Sequence, residues 1–164
     1  MKVQEKYEIM KSRILTDSTF KYIKHIEGHE SLPPLNIWGV LLRCLNDQDF
    51  VTIRDSNIYL NVMFSPASNS ILNVTVPSGA KVISFDYNYL ALIPEAERVA
   101  ILLHEYGHAF NPTMKGDEGE FVADDFAISH GYGESLRTSL LNSIQVKPDL
   151  FDKPITHQRI SRIN

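Results

Sequence analysis

His104, Glu105 and His108, in the stretch ILLHEYGHAF, are the residues whose types and spacing most plainly suggest chemistry. Residues four apart on a helix project from one face, a turn apart, so the two imidazoles can grip one divalent ion. Glu105 then stands beside that ion, where a carboxylate can serve as general base toward a water the ion activates. The preceding PEAERVAILL has an amphipathic pattern, which puts the H-E-x-x-H spacing on the element it requires. The competing reading is two incidental histidines on one helix, and the residues downstream bear on the choice.

A catalytic zinc usually takes three protein ligands and leaves a fourth position open. A metzincin continues H-E-x-x-H-x-x-G-x-x-H, but here Asn111 and Met114 stand at the final glycine and histidine positions, so that reading fails. Pro112 and Gly116 interrupt the helix, and Asp117 can cap a second one carrying Glu120 and Asp124 a turn apart. Glu120 can offer a carboxylate oxygen to the metal. Asp124 can accept the distal N–H of a ligating imidazole, which fixes its tautomer and raises its basicity. Glu118 and Asp125 compete for the same two roles, and a solvated acidic face is the alternative for all four. Two imidazoles and a carboxylate favour zinc as the cofactor.

EFVADDFAISHGY resembles the E-x-x-A-D-x-F-A segment that follows H-E-x-x-H in zinc endopeptidases of the prenyl-protein (CAAX) protease and membrane heat-shock protease type, a branch of the gluzincins. The resemblance implies a zincin-like fold, with His104, His108 and Glu120 as zinc ligands, Glu105 as general base and Asp124 bracing the site. ISFDYNYLALIPEAERVAILLHEYGH resembles the family's edge strand, connector and active-site helix. It implies an extended peptide or protein substrate, added as a strand to the edge formed by ISFDY. KPITHQRISRI resembles a family stretch reading His-Pro and then Arg-Ile: Pro154, Arg159 and Ile160 match, while Lys153 replaces the histidine. That histidine helps polarise the substrate carbonyl in the family, so Lys153 or His157 is the candidate transition-state stabiliser here. The relatives with this signature are integral membrane enzymes, and the chain is more similar to the small soluble versions called minigluzincins. The resemblance implies a zinc-dependent endopeptidase. The lost histidine leaves open a catalytically silent, zinc-stabilised binding or regulatory module.

These residues need elements to hold them. Residues 1–45 read as helical. Tyr7, Met10 and Ile14 recur at helical spacing, and Asp17 can cap a segment with Phe20, Ile23 and Ile26 that stops at Gly28. Pro33-Pro34 opens a third helix through Ile37, Trp38, Leu41, Leu42 and Leu45. Between Phe50 and Tyr87 the β-branched runs FVTIRD, IYLNVMF, ILNVTV and KVISFDY are separated by turn-forming clusters, which predicts a small, mostly antiparallel sheet. Helices are expected over about 94–110, 117–130, 133–145 and 155–163. Helices, sheet and helices in this order make an α+β fold. The whole of 1–164 reads as one metallopeptidase-like domain, with a helical extension over 1–45 and the motifs in 80–164.

Other residues attract plainer readings. Gly107 lacks a side chain inside the motif, which can let another element pack close. Tyr106 and Phe110 read as core or helix-surface aromatics, and Cys44 within LLRCL as a buried helix cysteine. His25 and His29 form an unsupported H-x-x-x-H pair, and His130 before Gly131 reads as a helix end. Tyr87, Tyr89 and Tyr132 are undifferentiated candidates for oxyanion donors.

The composition agrees with one globular chain. The 164 residues carry 16 Lys+Arg against 20 Asp+Glu, a net charge of −4, so a nucleic-acid partner is not expected. A single cysteine excludes an intrachain disulfide. No apolar run reaches the length of a membrane span, and the start MKVQEKYEIMKSR has no apolar signal core. A cytoplasmic location is therefore expected, and no oligomeric state is indicated.

Overall fold

The computed structural model describes residues 1–13, 37–63, 71–75 and 79–163. The segment expected to be capped by Asp17, the Pro33-Pro34 helix start and the His25/His29 pair lie outside the described residues. The chain divides into two compact units, 1–93 and 94–164. The fold is α+β in the coarse sense, mostly helical with one small sheet. Among the described residues no helix is long and apolar enough to cross a membrane.

In the first unit, α1 (Val3–Ser12) packs on α2 (Ile37–Cys44) and α3 (Asp47–Asp55). It buries Ile9 and Met10. Arg13 ties this layer to the sheet. Its guanidinium donates to the Tyr59 hydroxyl at 3.0 Å and the Arg54 carbonyl at 2.7 Å, and its own carbonyl accepts from Leu60 N at 2.8 Å.

α3 corrects the first expected strand, FVTIRD, which is helical. The decisive signal precedes the run. The Asn46 side chain accepts from Gln48 N (2.8 Å) and Asp49 N (3.1 Å), and the Asp49 carboxylate accepts from Asn46 N (2.8 Å). This reciprocal capping box starts a helix that buries Phe50 and Ile53, three apart, on one face. A β-branched six-residue run is compatible with either state, and the cap decides it. The helix ends at Asp55 with Ser56 as its cap, and the next residue, Asn57, has a φ of 50°, the left-handed conformation asparagine tolerates better than most side chains.

The sheet has three strands, β1 (Ile58–Met63), β2 (Ile71–Thr75) and β3 (Lys81–Asp86), in the order β1-β3-β2. β3 runs parallel to β1 and antiparallel to β2, so the sheet is mixed and the expectation of a mostly antiparallel one is corrected. Alternating side chains specify which face is buried but not strand direction, which is why the runs alone misled. ISFDY also changes place. Its Ile83–Asp86 lie in the central strand and Tyr87 begins the next helix; with Lys81–Phe85 paired on both sides, the run offers no free edge for an added peptide. Its burial fits a centre strand, since Ile83, Ser84, Phe85 and Asp86 are all buried in succession. The short α4 (Tyr87–Leu92) follows directly.

The second unit is all helical among the described residues: α5 (Glu95–Phe110), α6 (Gly116–Ser129), α7 (Gly133–Val146), α8 (Pro148–Phe151) and α9 (Pro154–Arg162). The four expected helices appear with ends shifted by a residue or so, and α8 is an additional turn begun by Pro148. α5 packs chiefly on α6 and also on α7, while α9 lies against α6 and α7. Buried Val99, Ala100, Leu102, Leu103, Tyr106 and Ala109 set α5 deep in the unit, and of the two readings of Tyr106, core or helix surface, the structure gives the core. Gly131, at φ 85°, closes α6: its N–H donates to Ile128 O at 2.9 Å and that of Tyr132 to Ala127 O at 3.0 Å. These are the two bonds of a Schellman cap.

α5 and α6 approach closely at Gly107. A Cβ added there would lie 2.6 Å from Ala123 Cα and 3.0 Å from both Ala123 O and Phe126 Cβ. The first two are backbone atoms, so no side-chain rotation relieves the overlap. The missing side chain therefore sets how near the helix bearing His104 and His108 comes to the one bearing Glu120 and Asp124.

Candidate metal centre

Helical spacing puts His104 and His108 on one face of α5, and the α5–α6 approach brings Glu120 to them. His104, His108 and Glu120 each direct a ligand-type atom into one cluster, with all three atoms within 4.8 Å of one another. The two Nε2 atoms are 3.1 Å apart. Glu120 Oε1 is 3.4 Å from His108 Nε2, and Oε2 is 3.5 Å from His104 Nε2. Ligand atoms held at about 2.0–2.2 Å around a tetrahedral zinc stand about 3.3–3.6 Å from one another, so the cluster fits such an ion. Two facing imidazole lone pairs at 3.1 Å repel unless a cation, a proton or a metal, lies between them.

Asp124 settles the tautomer of His104. Its Oδ1 is 2.8 Å from His104 Nδ1, and a carboxylate accepts, so Nδ1 carries the proton and Nε2 faces the cluster. Arg159, from α9, approaches the same carboxylate side-on, donating from Nε to Oδ2 and from Nη2 to Oδ1, both at 2.8 Å. Arg159 Nη2 is also 3.3 Å from His104 Nδ1, but both atoms are donors that converge on Oδ1 and do not bond to each other. The third guanidinium nitrogen, Nη1, is 2.7 Å from Glu120 Oε2. One arginine thus joins the Glu120 and Asp124 carboxylates of α6.

Exposure is graded across the cluster. The side chains of Asp124 and His104 are 3% and 9% exposed, against 25% for His108 and 34% for Glu120. The bracing side is dry and the ligand side is open. Burial pushes the His104 pKa down, but hydrogen bonds to Asp124 and Glu120 outweigh it and hold the pKa above its ordinary value. Hydrogen bonds from His104 and then His108 hold Glu120 well below the usual carboxylate range. For Asp124, burial acts upward and the bonds from His104 and Arg159 overcome it, leaving the pKa lowered. The cluster is therefore built to hold a positive charge at the imidazoles.

Glu105 is half-buried on α5, and its charge acts on His104. Of the competing acids, Asp125 pairs with Arg162 at 3.4 Å, and Glu118 is exposed. Lys153 is an exposed residue at the N-cap of α9. His157 Nε2 is 2.6 Å from Asp152 Oδ1, in an exposed pair. The structure brings His104, His108, Glu120 and Asp124 together, and it adds Arg159. The sequence matched Arg159 to a family pattern but assigned it no role, because a contact 35 residues from Asp124 and 55 from His104 leaves no local periodic trace. No protein-family model, no curated protein and no solved structure matches the chain.

Proposed function

We propose that the chain is a zinc-dependent endopeptidase of the gluzincin type, with a zincin-like arrangement centred on α5 and α6. The observation that carries this reading is the His104–His108–Glu120 cluster directly beside Glu105 on α5. His104 Nε2, His108 Nε2 and a Glu120 oxygen would hold the zinc. A zinc so held supplies Lewis acidity, which polarises a peptide carbonyl and makes water acidic near neutral pH. The Glu105 carboxylate takes the proton of the attacking water and returns it to the departing peptide nitrogen. Asp124 keeps the His104 proton on Nδ1, so Nε2 stays available as a ligand. Half-exposed His108 and Glu120 leave the ligand side accessible to a peptide or protein substrate.

The Glu105→Gln variant tests the reading. It is expected to keep its zinc and to lose about 10²–10⁴-fold in peptide hydrolysis; unchanged turnover would sink the assignment. A second reading, a zinc-stabilised module without catalysis, is favoured by Lys153 at the family histidine position and by the exposed pairing of His157 with Asp152. Failure to cleave unfolded peptides with one zinc per chain bound would select it.

A further inference from the structure

The two oxygens of Glu120 have different surroundings. Each lies near an imidazole, Oε1 3.4 Å from His108 Nε2 and Oε2 3.5 Å from His104 Nε2, but Oε2 also has a short charge-assisted contact, 2.7 Å from Arg159 Nη1. The guanidinium cannot swing away freely, because its Nε and Nη2 are fixed on the two oxygens of Asp124 at 2.8 Å each. Asp124 is in turn 3% exposed and held by His104 Nδ1. α9 is also anchored one turn further on, where the Arg162 guanidinium lies 4.2 Å from the centre of the Phe121 ring and 3.4 Å from Asp125.

We propose that Arg159 is a positioning residue that makes Glu120 a one-oxygen ligand. It holds Oε2 and leaves Oε1 for the metal, so the coordination position a second oxygen could take stays open. The proposal rests on the reading that His104, His108 and Glu120 bind a metal, and adds how the third ligand is restricted. Only an arginine suits the task. Three nitrogens in one rigid plane reach two carboxylates, whereas a lysine ammonium is a point donor on a flexible stem.

The test uses the full chain, loaded with zinc or cobalt(II), in the variants Arg159→Met, Arg159→Lys and Arg162→Met. Zinc affinity is measured by competition with a chromophoric chelator, and coordination by the visible bands of cobalt, which are intense for four ligands and weak for more. Arg159→Met is expected to lose about 10–100-fold in zinc affinity, the usual effect of removing a group that orients a ligand. Its cobalt bands are expected to weaken as both Glu120 oxygens bind. Arg159→Lys keeps a cation beside buried Asp124, protecting the fold, yet is expected to show the same weakened bands. Arg162→Met is expected to match the parent in both measurements, since Arg162 anchors the same two helices without touching the cluster. Parent-like affinity and bands in both Arg159 variants would overturn the proposal. So would an equal loss in Arg162→Met, which would reduce Arg159 to helix anchoring. Absence of zinc binding by the parent chain would overturn the metal reading itself, and this inference with it.

Discussion

Asp124 carries more of the cluster than any ligand does. It is 2% exposed as a residue, accepts from His104 Nδ1, and receives the Arg159 fork on both oxygens. An Asp124→Asn chain keeps the shape but loses the charge that both donors address. Its amide group also meets Arg159 with N–H facing N–H. Zinc affinity is expected to fall about 10–100-fold, read by chelator competition. The charged state of the metal-free cluster yields a second expectation. A raised His104 pKa contributes stability fully present below its ordinary value of 6.5 and lost as pH rises through the raised value. A lowered Glu120 pKa contributes stability present above its ordinary value of 4.5 and lost as pH falls through the lowered one. Between 4.5 and 6.5 both contributions are complete, so the unfolding temperature in chelator is expected to be highest in that range. Zinc should shift the optimum upward, because it replaces the proton that His104 otherwise holds. An optimum unmoved by zinc would contradict this account.

α5 and α6 were legible in the sequence, and α3 was not. The apolar period of PEAERVAILL and the breakers Pro112, Gly116 and Gly131 mark the two helices, and the H-E-x-x-H spacing shows which face of α5 matters. In α3 the β-branched run suggested a strand, and the helix signal lay in Asn46 and Asp49, whose cap is recognised only when read as a reciprocal pair. Strand direction around β3 had no signature in the runs themselves. The helix pair also depends on a residue with no ligand chemistry. In Gly107→Ala the new methyl meets Ala123 backbone at 2.6 Å, so α5 and α6 must separate. Overpacking of this kind costs about 1–3 kcal/mol, although alanine is otherwise the better helix former. The expected outcome is a lower melting temperature together with reduced zinc content, measured on the same preparation. A more stable Gly107→Ala chain with full zinc would show that the approach is loose.

Over the whole chain, the residues that meet at the cluster come from α5, α6 and α9, all within the unit 94–164. The motif on α5 and the acids on α6 are close in sequence, so spacing offered His104, His108, Glu120 and Asp124, with Glu118 and Asp125 as competitors that the family resemblance set aside. Spacing did not offer Arg159, since α9 reaches the cluster only through tertiary packing. A ligand that binds only the folded chain stabilises it by mass action, about 2.7 kcal/mol at a free concentration 100 times its dissociation constant. Chelation is therefore expected to lower the unfolding temperature and to raise amide exchange in α5, α6 and α9 together. Equal exchange with and without zinc in those helices would remove the metal from the folding of this unit.

The hydrogen atom that serves as the side chain of Gly107 has a consequence for mutational tolerance. In a saturation scan scored for retained zinc, position 107 should be as intolerant as 104 or 108, yet no substitution there removes a ligand, a charge or a hydrogen-bonding group. Second-site suppressors are expected neither at Ala123, where the obstruction is backbone, nor from a smaller side chain at Phe126, whose obstructing atom is the Cβ that every residue but glycine carries.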